Sequence, residues 1–125
     1  AVEIPHQLTT PNGHSLVEFP ITALRLAKYK LPIAGGGYFR LFPYWFSRWG
    51  LARVNRAQNQ PFVFYLHPWE LDPNQPRFPA TGLSKFRHYN NLDVCEDRLK
   101  KLLGAFEFTT IEAILRSQNL LSTEG

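Results

Sequence analysis

The chain has no methionine, one cysteine and no apolar run near the about 18 residues that a membrane-crossing helix needs. A single thiol, Cys95, excludes an internal disulfide. Its place in a charged helical segment points to an inert or mildly exposed group rather than a nucleophile. Missing methionine, initiator included, is the expectation for a piece of a longer protein, and the first residues lack the basic-then-apolar pattern of a signal peptide. Acidic residues are unevenly placed: no Asp or Glu lies between Glu18 and Glu70. His6, His14, His67 and His88 never fall at helical metal-ligand spacing, so this chain alone is expected to bind no metal. Gly35-Gly36-Gly37 lacks the strand-GxGxxG-helix setting of a dinucleotide site and the Gly-Lys-Ser/Thr of a P-loop, which argues against phosphate binding.

What is present suits a folded core. The 125 residues are one domain's length, with 44% hydrophobic and 14% aromatic residues. The net charge of +4 comes from 14 Lys and Arg spread along the chain, with clusters at Arg48/Arg53/Arg56 and Arg98/Lys100/Lys101. Nucleic-acid binding needs a basic face rather than a basic total, so these clusters read as solvated helix surfaces and no nucleic-acid partner is expected.

Local signals give an α/β order of β-α-β-α-β-α. Thr10-Pro11-Asn12-Gly13-His14 is a turn between strands at 3–9 and 15–19, because Asn-Gly readily takes positive φ. Residues 21–30 are short and basic, and Pro32 with the three glycines makes a loop. Pro43 suits the first turn of a helix over 43–56 that carries Trp45, Trp49 and Ala52 on one face. This helix is the natural crossover to a parallel strand at 62–66. Pro68, Pro73, Pro76 and Pro79 then impose a long rim loop. Asp93 with Glu96 resembles a capping box opening a helix over 93–103 with Gly104 at its C′ position. Phe106-Glu107-Phe108 alternates as a strand, and Thr109 with Glu112 repeats the capping pattern before a last helix that frays after Ser117.

The run Pro61-Phe62-Val63-Phe64-Tyr65-Leu66-His67-Pro68-Trp69-Glu70 concentrates the chemistry. Apolar residues without alternation suggest a strand covered on both faces, and Pro68 ends its ladder. His67, Trp69 and Glu70 are thereby delivered to the C-terminal rim, where α/β sheets and β/α barrels hold their sites.

Phe64-Tyr65-Leu66-His67-Pro68-Trp69-Glu70-Leu71-Asp72-Pro73 resembles the bacterial polysaccharide deacetylases of exosortase (PEP-CTERM) exopolysaccharide loci. So do Leu31-Pro32-Ile33-Ala34-Gly35-Gly36-Gly37-Tyr38-Phe39-Arg40-Leu41-Phe42-Pro43-Tyr44 and Phe86-Arg87-His88-Tyr89-Asn90-Asn91-Leu92, in the same order. The resemblance runs from about residue 18 to 108 and reaches only that family's C-terminal portion. It implies residues 1–125 as a single partial domain: the downstream part of a distorted NodB-like β/α barrel with its C-terminal extension, incomplete as an isolated chain. It also implies a bacterial parent protein, cytoplasmic or periplasmic, that uses a divalent, zinc-like metal held by an early Asp and a His-x-x-x-His pair. Nothing in this chain supplies those ligands, and association with the part that does is implied as well.

By the same resemblance, Leu66 and His67 match a Leu-His motif that helps form the acetyl pocket and donates a proton to the leaving amine. Chemically, an amide nitrogen must gain a proton before its C–N bond breaks, and an imidazolium is a natural donor. The ordinary alternative for His67 is a hydrogen bond to a loop carbonyl. The wider family tunes this histidine with an earlier carboxylate that is absent here, so either Glu70 or Glu18 takes that role, with Glu70 favoured. Glu70 also reads as a simple loop-capping carboxylate. Gly36 and Gly37 are a plain turn or a backbone passing close to sugar rings, with Tyr38 and Arg40 beside the groove. Trp69 and Tyr38 are candidate pyranose platforms, whereas Trp45 and Trp49 read as core. Arg87 and His88 line a groove or serve packing. Two functions stand open: part of a metal-dependent N-deacetylase acting on a carbohydrate polymer, or a non-catalytic carbohydrate-binding or scaffolding module.

Overall fold

A computed structural model describes residues 4–121 as a mixed α/β chain with two small antiparallel sheets. Strand β1 (His6–Thr9) pairs with β2 (Ser15–Glu18), His6 opposite Glu18. Gly13 at φ +82° makes the turn, and its N–H donates to the Thr10 carbonyl at 2.9 Å. The predicted strand starts at Glu3, which lies outside the described residues. Strand β3 (Ala23–Leu26) pairs with β4 (Tyr29–Pro32), so the basic segment 21–30 is the greater part of a second hairpin. Its two-residue turn puts Ala27 at φ +51°, a left-handed conformation without the usual Gly or Asn signal.

Helix α1 (Gly36–Leu41) begins inside the glycine triplet, where a loop is predicted, and α2 (Tyr44–Ala52) continues as a π-helical turn at Arg53–Ala57, matching the predicted helix over 43–56. Trp45 and Trp49, expected in the core, are exposed on α2. The buried residues of α2 are Ser47, Gly50 and Leu51, because Gly50 lets the helix back close against Leu24 and Ile33.

The predicted strand over 62–66 is reduced to one parallel bridge between Gly35 and Tyr65, with the Tyr65 N–H donating to the Ala34 carbonyl at 3.0 Å. The direction of pairing and the helical crossover between the partners match the expectation. A ladder does not form, and residue 63 instead donates its N–H to the Thr22 hydroxyl at 2.9 Å. Residues 106–108 are likewise not a strand; Phe106 and Phe108 pack edge-on against Phe62. The observed order is therefore four strands followed by helices, not β-α-β-α-β-α.

Further along, the described residues form the helices α3 (Gly82–Tyr89), α4 (Leu92–Ala105) and α5 (Ile111–Ser117). Helix α3 is not marked in the sequence pattern because it buries no residue. Helix α4 contains the predicted 93–103 segment but starts after Asn91 in a left-handed conformation, and it runs through Gly104. The cap of α5 is Thr110, whose hydroxyl accepts the Ala113 N–H at 3.1 Å, rather than Thr109. Leu24, Ile33, Phe39, Leu51, Cys95 and Leu102 form the core, uniting the second hairpin, α1, α2 and α4. Each such side chain contributes on the order of 1.5–3 kcal/mol by leaving water.

Candidate functional site

A short 3-10 helix at Pro68–Leu71 positions the rim chemistry within the predicted proline-rich loop. Pro68 stands at its first position, where a missing N–H is harmless. Glu70, three residues after the N-cap His67, reaches back so that its Oε2 accepts the His67 backbone N–H at 2.8 Å. The same oxygen lies 3.5 Å from His67 Nδ1, longer than a formed hydrogen bond. The His67 side chain is 63% exposed while that of Glu70 is 2% exposed. An exposed imidazole is thus hinged on a buried carboxylate. Glu18, the other candidate partner, faces His6 Nε2 at 3.2 Å on the first hairpin.

A buried carboxylate needs compensation, and Arg40 of α1 supplies it. Nε and Nη2 each lie 3.1 Å from Glu70 Oε1. Nη1 donates to the carbonyls of His88 and Asn90 at 3.3 and 2.6 Å, and Nη2 donates to that of Arg87 at 3.1 Å. These contacts match all five guanidinium donors, so Arg40 forms the floor of the site and its N–H groups do not point into the groove. The carbonyls belong to the end of α3, where the last turn of a helix leaves acceptors unfilled. One cation therefore ties α1, the His67 turn and α3 together. Arg98 and Asn91 of the α4 region do the same for the end of α1, through the carbonyls of Phe39, Arg40 and Phe42.

Trp69 lies nearly parallel to His88, ring centroids 4.1 Å apart, and to His67 at 6.0 Å, with the Arg40 guanidinium 5.2 Å from its ring. His88 Nε2 meets Gln75 Oε1 at 3.3 Å, and Gln75 also donates to the Trp69 carbonyl at 2.8 Å. Trp69 is thus a wall element tied into a stack. Tyr38, 42% exposed, presents a more accessible aromatic face.

These groups surround an open cleft of about 580 Å³, within the range of small-molecule sites. Of the residues singled out in the sequence, Gly36, Gly37, Tyr38, Arg40, His67, Trp69, Glu70, Arg87 and His88 line it. Leu66 does not; the preceding Tyr65 does. Thr81, Leu83 and Ser84 also line it, contributed by the unmarked helix α3 and its N-cap. Gly36 is required by close approach, since a Cβ there would stand 2.6 Å from the Glu70 carboxyl carbon, whereas a Cβ at Gly37 meets open space.

Cys95 is buried beneath the site, and its thiol is pushed above the ordinary range by desolvation, then by the Glu70 charge, with Arg40 and Arg98 opposing. Among the described residues no three of His, Cys, Asp and Glu are grouped to hold a metal ion. Among the described residues no helix is long and apolar enough to cross a membrane.

No curated protein and no solved structure matches the chain. A family model, that of a domain of unknown function termed DUF3473, matches residues 1–116. By that match over most of its length, the chain belongs to the DUF3473 family.

Proposed function

We propose that this domain forms the substrate groove of a bacterial polysaccharide N-deacetylase and presents His67 as the acid that protonates the leaving amine. The observation that carries this reading is convergence. The three segments that resemble the exosortase-locus deacetylases are far apart in sequence, yet 35–40, 65–70 and 87–88 contribute to one cleft. In this reading the extended run before His67 corresponds to a strand of the family's distorted β/α barrel.

Removing an N-acetyl group requires water to add to the carbonyl carbon, then the C–N bond to break as the nitrogen takes a proton. His67 is exposed and lines the cleft, so it can deliver that proton, while Glu70 holds the His67 backbone N–H and stands 3.5 Å from Nδ1. Arg40 keeps the Glu70 carboxylate in place and already charge-compensated. Tyr38 offers an apolar face to a pyranose ring, and the Gly36–Gly37 backbone permits close approach.

The divalent metal implied by the resemblance does not fit the residues here. His67 and Glu70 are only two groups, and Glu70 is committed to Arg40. Activation of water therefore belongs to ligands outside these residues, and no step of it is assigned to this chain.

The test is acetate release from an N-acetylglucosamine tetramer by the intact protein expressed from its gene, beside sugar titration of the isolated domain followed by NMR. Acetate release by the intact protein only, with resonances of Tyr38, His67 and Trp69 shifted in the domain, supports the reading. Sugar binding without acetate release from the intact, metal-loaded protein favours a binding or scaffolding module instead. No response in either experiment overturns the carbohydrate reading.

A further inference from the structure

Beside the main cleft lies a second hollow of about 350 Å³, lined by Gly37, Tyr38, Leu41, Phe86, Arg87 and Asn90. Gly37, Tyr38 and Arg87 border both spaces, so the two hollows adjoin. Tyr38, Leu41 and Phe86 are 42%, 48% and 51% exposed, placing apolar side chains beside a polar cleft. Aromatic faces next to polar groups are how proteins hold pyranose rings, whose C–H faces are apolar and whose rims carry hydroxyls.

Charge gives this second space a preference. Arg87 is an exposed residue at the junction, and among the described residues no hydrogen bond or ion pair engages its guanidinium. Its backbone carbonyl, by contrast, is held by Arg40, which fixes the root of the side chain. The second hollow is lined by no acidic residue, and the main cleft has one, Glu70, which is buried and neutralised by Arg40. A positioned, unpaired cation in a groove without a free carboxylate favours an anion.

Resting on the carbohydrate reading of the main cleft, we infer that the second hollow is a subsite for a carboxylate-bearing sugar. The polymer is then acidic, with a uronic acid residue adjoining the N-acetylated residue at His67. Arg87 would receive the uronate carboxylate while Tyr38 and Phe86 flank the ring. This narrows the substrate class from N-acetylated polysaccharide to an alternating or mixed acidic one.

Two tetrasaccharides of equal length test this on the intact protein by calorimetry: one of N-acetylglucosamine only, and one alternating N-acetylglucosamine with glucuronic acid. The acidic one should bind about 5–10-fold more tightly at low salt, as expected of one charge-assisted contact partly open to water. In Arg87→Gln, which keeps the backbone carbonyl used by Arg40, the ratio of the two affinities should fall close to one. Equal affinities in the unaltered protein, or a ratio that survives in Arg87→Gln, would overturn the acidic subsite while leaving the carbohydrate reading intact. Binding of neither sugar would overturn both.

Discussion

Arg40 and Glu70, thirty positions apart, meet 3.1 Å from each other with both side chains 2% exposed. Such a pair contributes little net stability compared with apolar replacements, yet removing one partner strands a buried charge. Arg40→Met should therefore destabilise the domain by about 3–5 kcal/mol in urea unfolding. The double variant Arg40→Met/Glu70→Leu should be clearly less destabilised than the sum of the single changes. Additive single effects would show that the two residues are not coupled.

The glycines at the start of α1 should part company. Gly36→Ala forces a methyl group against the Glu70 carboxylate and should both lower stability and disturb His67. Gly37→Ala meets nothing within 4 Å and gains up to about 1 kcal/mol of helix propensity, so it should be neutral or stabilising. Thermal melts of the two variants decide this, and equal losses would contradict the observed approach of Glu70 to Gly36.

Cys95 should resist alkylation in the native domain and react once urea unfolds it, because it is fully buried with its thiol shifted upward. A thiol that ionises more readily when unfolded favours the unfolded state in alkali, so this contribution holds below the unfolded thiol's value of about 8.5 and fades above it. In Cys95→Ser the same alkaline loss should be smaller. Rapid labelling of the native protein would contradict the burial.

Much of this arrangement was legible in the sequence, and the parts that were not share a cause. The N-terminal turn, α2, α4 and α5 announce themselves through Asn-Gly, Pro43, the Leu99/Leu102 stripe and a Thr cap, all local signals. His67 and Glu70 were visible because Pro68 marks the rim and the carboxylate stands three residues beyond the histidine. The ladder expected at 62–66 was not formed because its apolar run packs against Phe39, Phe106 and Phe108 while only Tyr65 finds a strand partner. Helix α3 has no buried face to give it a period. That Arg40 holds Glu70 is not legible in the sequence, because its partners are non-local: Glu70 and three carbonyls 47–50 residues onward. One clue was available, since a carboxylate buried at Glu70 demands a cation, but burial itself is not written in the sequence.

Trp69 is tied to His67, His88 and Arg40 rather than standing free as a platform. In the proposed deacetylase, Trp69→Ala should accordingly lower kcat as well as raise KM, because the ring stacked beside His67 is lost. Tyr38→Ala should act mainly on KM, as a stacking face felt equally in ground and transition states does. Steady-state kinetics of the two variants on a neutral N-acetylglucosamine oligomer separate these roles, and a pure KM effect for Trp69→Ala would restore it as a sugar platform.

The most direct measurement of the proposed deacetylase role is the turnover of His67→Ala in the intact protein on the same oligomer. If His67 is the proposed acid, its loss should lower kcat by ~10²–10⁴-fold with substrate affinity little changed, because the proton is needed only as the C–N bond breaks. An unchanged kcat would remove His67 from the chemistry and leave the cleft as a binding groove.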